Sequence, residues 1–282
     1  NGADPKYFTT YFPGREVVLR QTRRFGKEIY KFSQIIRRGI FDSVDKDYVH
    51  TEKDSYIKRY LNFNEVPFDQ CEGTWYILGR VHSSVTELKM AAKSSGLYFS
   101  DNKGNKSFDS KQWQAIKSWT TISNGKTITR DAAENMYRYL RDLKDYDFRT
   151  PKFWQNIPET QTFDFKQLKE WAGLDLNDDQ HNQPWWNVLK RNFTPRQTAY
   201  FVLLLKKYGQ AKLNQDPRII IDTIHQVKGG EADNVVLASK CNFPSHFDKK
   251  NLADKVKELR VWYTGATRSK QTLHLLGTYH QY

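Results

Sequence analysis

The sequence predicts an α/β protein, a parallel sheet covered by helices and interrupted by a mainly helical insert. Three observations predict it. Short apolar strands alternate with helix-period segments through the first part of the chain. From about 121 to 213 the texture becomes polar, helix-patterned and rich in tryptophan, with Pro151, Pro158, Pro184 and Pro195 as punctuation. The strand–helix alternation then resumes to the end.

Arg15–Arg20 reads as a short strand, followed by a helix from about Gly26 to Arg38. Ile29, Phe32 and Ile36 recur there at the spacing of one buried helix face, and Gly39 is a stop signal. Residues 42–73 are charged and irregular, with weak helical character around Ile57–Leu61. Thr74–Gly79 is a compact apolar strand, Val85–Lys93 a helix, Gly96–Phe99 another short strand and 101–105 a turn cluster. Beyond the insert, Arg218–Ile224 and Asn234–Ala238 read as strands, Lys255–Ser269 as a helix and Thr272–Leu276 as a closing strand.

The 282 residues suit one large domain or two smaller ones. A mean hydropathy of −0.80 and a longest apolar run of only Tyr200–Leu205 argue against a membrane span. No charged-then-apolar leader pattern opens the chain. Cys71 and Cys241 lie far apart without metal-ligand spacing, which predicts neither a zinc site nor a disulfide framework and fits a reducing, cytoplasmic setting. Lys and Arg outnumber Asp and Glu by 45 to 32, a net charge of +13 that favours polyanions such as nucleic acid, although many proteins are basic without binding any.

Two segments carry the most information. Ile221–Leu237 (IDTIHQVKGGEADNVVL) is a strand entering a glycine-containing turn with a histidine, a lysine and a glutamate, then a second strand. Glu258–Ser269 (ELRVWYTGATRS) is an amphipathic helix ending in a Thr-Arg pair. Together, in this order, they resemble motifs V and VI of superfamily 1 DNA helicases of the UvrD/Rep/PcrA type, and Leu19–Arg24 (LRQTRR) resembles motif IV. The resemblance is specific in these motifs, covers most of residues 1–120 and 215–282, and is faint between.

That resemblance implies a second RecA-like domain of the P-loop NTPase type, formed by 1–120 with 214–282, carrying an inserted accessory subdomain over 121–213. No G-x-x-x-x-G-K-[ST] phosphate loop occurs in the sequence, and the opening Asn1–Asp4 is similar to the end of the family's motif III. The expectation is therefore the C-terminal half of an ATP-dependent motor, inactive alone, working with ATP and with Mg²⁺ held by an N-terminal RecA-like domain. Its other partner would be single-stranded DNA or single/double-strand junctions, with 3′→5′ movement, in the cytoplasm and at the nucleoid if bacterial.

Phosphoryl transfer builds negative charge on the γ-phosphate, and arginine suits its stabilisation because its planar fork donates several hydrogen bonds and keeps its charge. By resemblance Arg268 is the finger and Arg24 the second such arginine, with Arg23 the alternative because the family often has tyrosine there. Gly229 and Glu231 match the ribose-contacting turn, although the family more often has leucine where Gly230 stands. Thr223, His225 and Lys228 match the loop leading to the DNA track, and Arg80 matches an arginine near the DNA path. Each of these side chains also has a plain reading as a turn or surface residue. Trp113, Trp119, Trp154, Trp171, Trp185 and Trp186 stand near basic residues, as base-stacking platforms do, but helically spaced aromatics usually build a core. A different-class alternative is a non-catalytic nucleic-acid-binding module derived from the fold. The motor half of a helicase–nuclease would need a nuclease carboxylate cluster, which is not apparent.

Overall fold

The computed structural model describes residues 24–40, 49–140, 151–172, 183–238 and 251–277, with side chains left out at 170–172. The expected strand Arg15–Arg20 and the alternative Arg23 lie outside the described residues. The chain divides into two compact units, one from residues up to Leu88 and from Arg218 onward, the other Lys89–Pro217.

The first unit is built on five parallel strands: β1 (Tyr56–Tyr60), β2 (Trp75–Gly79), β5 (Ile219–Thr223), β6 (Ala232–Ala238) and β7 (Ser269–Leu276), in the order β1-β7-β6-β2-β5. Side chains alternate across the sheet, so Tyr76 and Leu78 share a face with Val235, Leu237, Leu273 and Leu275. That face is covered by α1 (Lys27–Arg38) and α9 (Leu252–Ala266), through Phe25, Ile29, Trp262 and Ala266. Burial of both faces explains why β6 reads as a continuous apolar run, Val235 to Ala238, without a polar alternation.

Helix α1 follows its sequence pattern: Ile29 is buried, Phe32 and Ile36 pack at the rim of the same cluster, and Gly39 closes the last turn. Its first amides are satisfied from a distance, since the Ser55 hydroxyl accepts from the Glu28 and Ile29 N–H groups at 3.1 and 3.3 Å. Ile57–Leu61, expected as weakly helical, is instead strand β1 followed by a bend. It is an edge strand paired only with β7, so its side chains are largely exposed and carry little of the apolar signal that marks its neighbours.

On the opposite sheet face Trp75 packs between Phe68 and His274, with ring centroids 5.0 and 4.8 Å apart. His274 is fully buried on β7, its Nε2 3.4 Å from the Asn234 Oδ1. Burial pushes its pKa down to about 4, so the imidazole is neutral in the folded protein.

The second unit is mainly helical. After α2 (His82–Ser94), within which the first division falls, come α3 (Ser110–Ser123), α4 (Arg130–Tyr137), α5 (Pro151–Gln155), α6 (Phe165–Ala172), α7 (Trp185–Val188) and α8 (Pro195–Leu213). A short antiparallel pair, β3 (Ile128–Thr129) with β4 (Thr162–Phe163), joins them. Asp109 caps α3, and Thr194 with Gln197 forms a capping box at α8.

Helix α3 contributes Trp113, Ile116 and Trp119 to this unit's aromatic core. That core also takes Tyr137, Trp154, Phe163, Trp185 and Phe201, so these tryptophans are packing residues. Trp186 is the exposed one, and the Trp171 side chain lies outside the described residues. Gly96–Phe99, expected as a strand, is a buried loop followed by an isolated bridge between Ser100 and Lys106. Its backbone groups go to scattered partners: the Leu97 carbonyl accepts from the Tyr200 hydroxyl at 2.6 Å, the Leu97 N–H donates to the Ala92 carbonyl at 2.9 Å and the Phe99 carbonyl accepts from the Ser107 N–H at 2.8 Å. Among the described residues no helix is long and apolar enough to cross a membrane.

Candidate functional site

The candidate site lies wholly in the first unit, where two chain segments meet at the start of strands β6 and β7. Strand β5 ends at Thr223, whose hydroxyl accepts from the Gln226 N–H at 3.3 Å and so holds the turn that follows. Ile224 and Val227 point into the core and pin this turn, which leaves His225, Lys228 and Gly229 exposed. Gly229 adopts φ +94°, a conformation that side chains rarely tolerate, and it swings the chain toward Glu231 and β6.

The second segment is the end of α9. Thr267 closes the helix through its N–H to the Tyr263 carbonyl at 3.0 Å, and Arg268 follows before β7 begins. The Arg268 carbonyl accepts from the Ala232 N–H at 3.0 Å, so sheet pairing sets Glu231 and Arg268 side by side. The guanidinium of Arg268 is oriented by main-chain carbonyls: Nε donates to Thr264 at 3.0 Å and Nη1 to Gly230 at 3.1 Å. Arg24 reaches the same place from just before α1, its Nε donating to Glu231 Oε2 at 3.1 Å and its Nη1 to the Thr267 carbonyl at 3.2 Å.

Lys270 completes the cluster, with Nζ 3.4 Å from Glu231 Oε1 and 3.7 Å from Asp233 Oδ1. Burial, and then the nearby Arg24 charge, lower the proton affinity of Arg268, which nonetheless stays a cation. Burial alone would raise the Glu231 pKa, but hydrogen bonds from Arg24 and then Lys270 outweigh it and hold the carboxyl below its ordinary value. The arrangement concentrates positive charge beside a partly exposed carboxylate, and that combination can take an anion and hydroxyl groups together.

Arg80 ends β2 and is differently placed. Its Nε and Nη2 donate to Glu258 Oε1 and Oε2 at 2.7 and 2.9 Å, and the Trp262 indole N–H donates to the same carboxylate at 3.0 Å. The fork expected near a DNA path is thus closed on a buried glutamate. Close to it, His225 has its pKa pushed down by burial and then by the Arg80 charge. Among the described residues no group of three or more His, Cys, Asp or Glu side chains stands ready to hold a metal ion.

The family model for the UvrD-like helicase C-terminal domain matches residues 46–281, five-sixths of the chain and all five strands of the large sheet. The chain belongs to this family. No curated protein matches it closely enough to add a nearer relative. Membership gives the chain a helicase-related role, and the parallel, helix-flanked sheet is the RecA-like fold that the motifs implied.

Of the residues singled out by sequence, Arg24, Gly229, Glu231 and Arg268 come together, although Arg24 precedes the matched segment. Thr223, His225 and Lys228 share one turn, in which Thr223 is buried and its hydroxyl already engaged. Lys270 and Tyr76 were missed. Lys270 lies just past the helix motif, and a lysine at a strand start gives no signal of its own. Tyr76 would have stood out only if the atypical Gly230 had prompted a search for a compensating side chain.

Proposed function

We propose that the chain is the second RecA-like domain, with its inserted subdomain, of an ATP-dependent DNA helicase or translocase moving 3′→5′. The observation that carries this reading is the state of Arg268. It is a half-buried guanidinium aimed by two neutral carbonyls, with a second arginine beside it. Such a group is pre-organised for charge that develops on a γ-phosphate delivered by an N-terminal RecA-like domain. That partner domain would also hold the Mg²⁺ ion and supply the phosphate loop, so turnover is expected to need both halves.

In this reading Arg24 shares the phosphate charge, and Glu231 accepts ribose hydroxyl hydrogen bonds beside the Gly229 turn. The turn bearing Thr223, His225 and Lys228 lies next to the nucleotide residues in sequence, which suits a link between nucleotide state and contacts to DNA phosphates. A module kept only for binding nucleic acid would have no use for Arg24, Glu231 and Arg268 at one point.

The test is Arg268→Ala in the full-length protein, with two properties measured on the same variant. DNA-stimulated ATP turnover should fall by about 10³-fold or more, the scale of arginine fingers. Single-stranded DNA affinity should change little, and Arg268→Lys should rescue poorly because a point charge does not replace the fork. Turnover that survives while DNA affinity collapses would make Arg268 a DNA contact and overturn the proposal.

A further inference from the structure

Gly229 and Gly230 are adjacent glycines needed for different reasons. Gly229 has the positive φ; Gly230 does not, so its backbone could carry any side chain. What excludes one is space. A Cβ added at Gly230 would overlap the Tyr76 hydroxyl oxygen and stand 3.3 Å from Tyr76 Cζ and 3.4 Å from the Val227 carbonyl oxygen. Tyr76 is anchored by its strand and by a partly buried ring. It sits on β2, between β5 and β6, in register with Ile220 and Val235, and its ring packs against the cluster beneath α1 and α9.

The same Gly230 peptide unit has a second engagement. Its carbonyl oxygen is one of the two acceptors that aim the Arg268 guanidinium. The Gly230 N–H donates back to the Val227 carbonyl at 3.0 Å, so the residue is fixed from the turn side as well.

We infer that Tyr76 is a positioning residue for Arg268: its hydroxyl end props the Gly230 peptide from strand β2 and occupies the space that a side chain at 230 would need. This rests on the proposed role of Arg268 as the γ-phosphate arginine. Tyr76 and Gly230 are then one fitted pair, and neither changes alone without moving the carbonyl that orients the guanidinium.

The experiment is a set of variants in the full-length protein, read by kcat and KM for ATP, single-stranded DNA affinity and melting temperature. Gly230→Leu should lower kcat at least ~10-fold, as expected for a displacement of order 1 Å at a catalytic group, with DNA affinity unchanged. Tyr76→Phe, which keeps the packed ring and removes only the hydroxyl, should lower kcat several-fold with KM and melting temperature held. Tyr76→Ala with Gly230→Leu restores the volume from the other side and should recover most of the turnover lost by Gly230→Leu.

The deciding measurement repeats Gly230→Leu and Tyr76→Phe in an Arg268→Ala background. If both act through Arg268, neither should lower kcat further there, a non-additivity that general loosening of the fold does not produce. Full additivity in that background, or unchanged kcat for Gly230→Leu alone, would overturn the inference. If instead Arg268→Ala itself leaves turnover intact, the proposed function fails, and the Tyr76 variants are not needed to show it.

Discussion

Two arginine–glutamate contacts in the same unit behave in opposite ways. Arg80 and Glu258 meet fork to fork, the carboxylate is 2% exposed, and the Trp262 indole takes up a remaining lone pair. Charge meets charge along one edge of the guanidinium, and the carboxylate is fully engaged. Around Glu231, which is 44% exposed, Arg24 and Lys270 share one carboxylate, while Arg268 spends its hydrogen bonds on carbonyls. A guanidinium held by neutral dipoles is positioned without being neutralised, so its charge remains available to an incoming anion. The two contacts show that the partners of an arginine, more than its proximity to a glutamate, separate a strut from a site.

The largest stability effect belongs to the closed pair. Arg80→Ala leaves the Glu258 carboxylate buried without its counter-charge and should cost about 3–5 kcal/mol in urea unfolding. Arg268→Ala should cost clearly less than Arg80→Ala in the same assay, since its two bonds go to neutral carbonyls and its removal strands no buried counter-charge. A near-silent Arg80→Ala with a specific loss of DNA affinity would break the comparison and return Arg80 to the DNA path.

His274 extends the comparison to a buried neutral group. The native imidazole binds its proton only near pH 4, whereas the unfolded one does so near its ordinary 6.5. Between those values the unfolded chain holds more protons, so stability falls as pH drops through the window, by up to about 3 kcal/mol. His274→Leu removes the titration. The difference in unfolding free energy between pH 7 and pH 4.5 should shrink relative to the parent, and an unchanged pH dependence would show that His274 does not set it.

At the open cluster, Glu231→Gln should barely move the melting temperature but raise KM for ATP by about 10-fold, the size of a lost charged hydrogen bond. A large stability loss with unchanged KM would class Glu231 with Glu258 instead. The smallest effect concerns His225, whose pKa is lowered by partial desolvation of its ring and then by the Arg80 charge. As pH falls below the usual histidine range it should gain its proton, and the salt dependence of single-stranded DNA binding should steepen by about 0.7 in logarithmic slope. In His225→Gln that steepening should be absent.

Much of the fold could be read from the chain because β2, β5, β6 and β7 are buried strands whose apolar runs are hard to mistake. The misreadings have physical causes. Tyr56–Tyr60 is polar because it is an edge, and Gly96–Phe99 is apolar because it is buried, although no strand lies beside it. At the site, Arg24, Glu231 and Arg268 were legible as motif residues. Their partners were not, since Lys270 and the Tyr76–Gly230 fit depend on which strands become neighbours, and no local pattern records that.

Glu231 and Arg268 each immediately precede residues that face one another across neighbouring strands, Ala232 and Ser269. The sheet therefore acts as a ruler for the site. One residue inserted between Arg268 and Ser269 would shift the arginine along its strand by about 3.3 Å and turn its side chain to the other face. The short stretches at 229–232 and 266–270 must therefore keep their spacing for Glu231 and Arg268 to stay side by side.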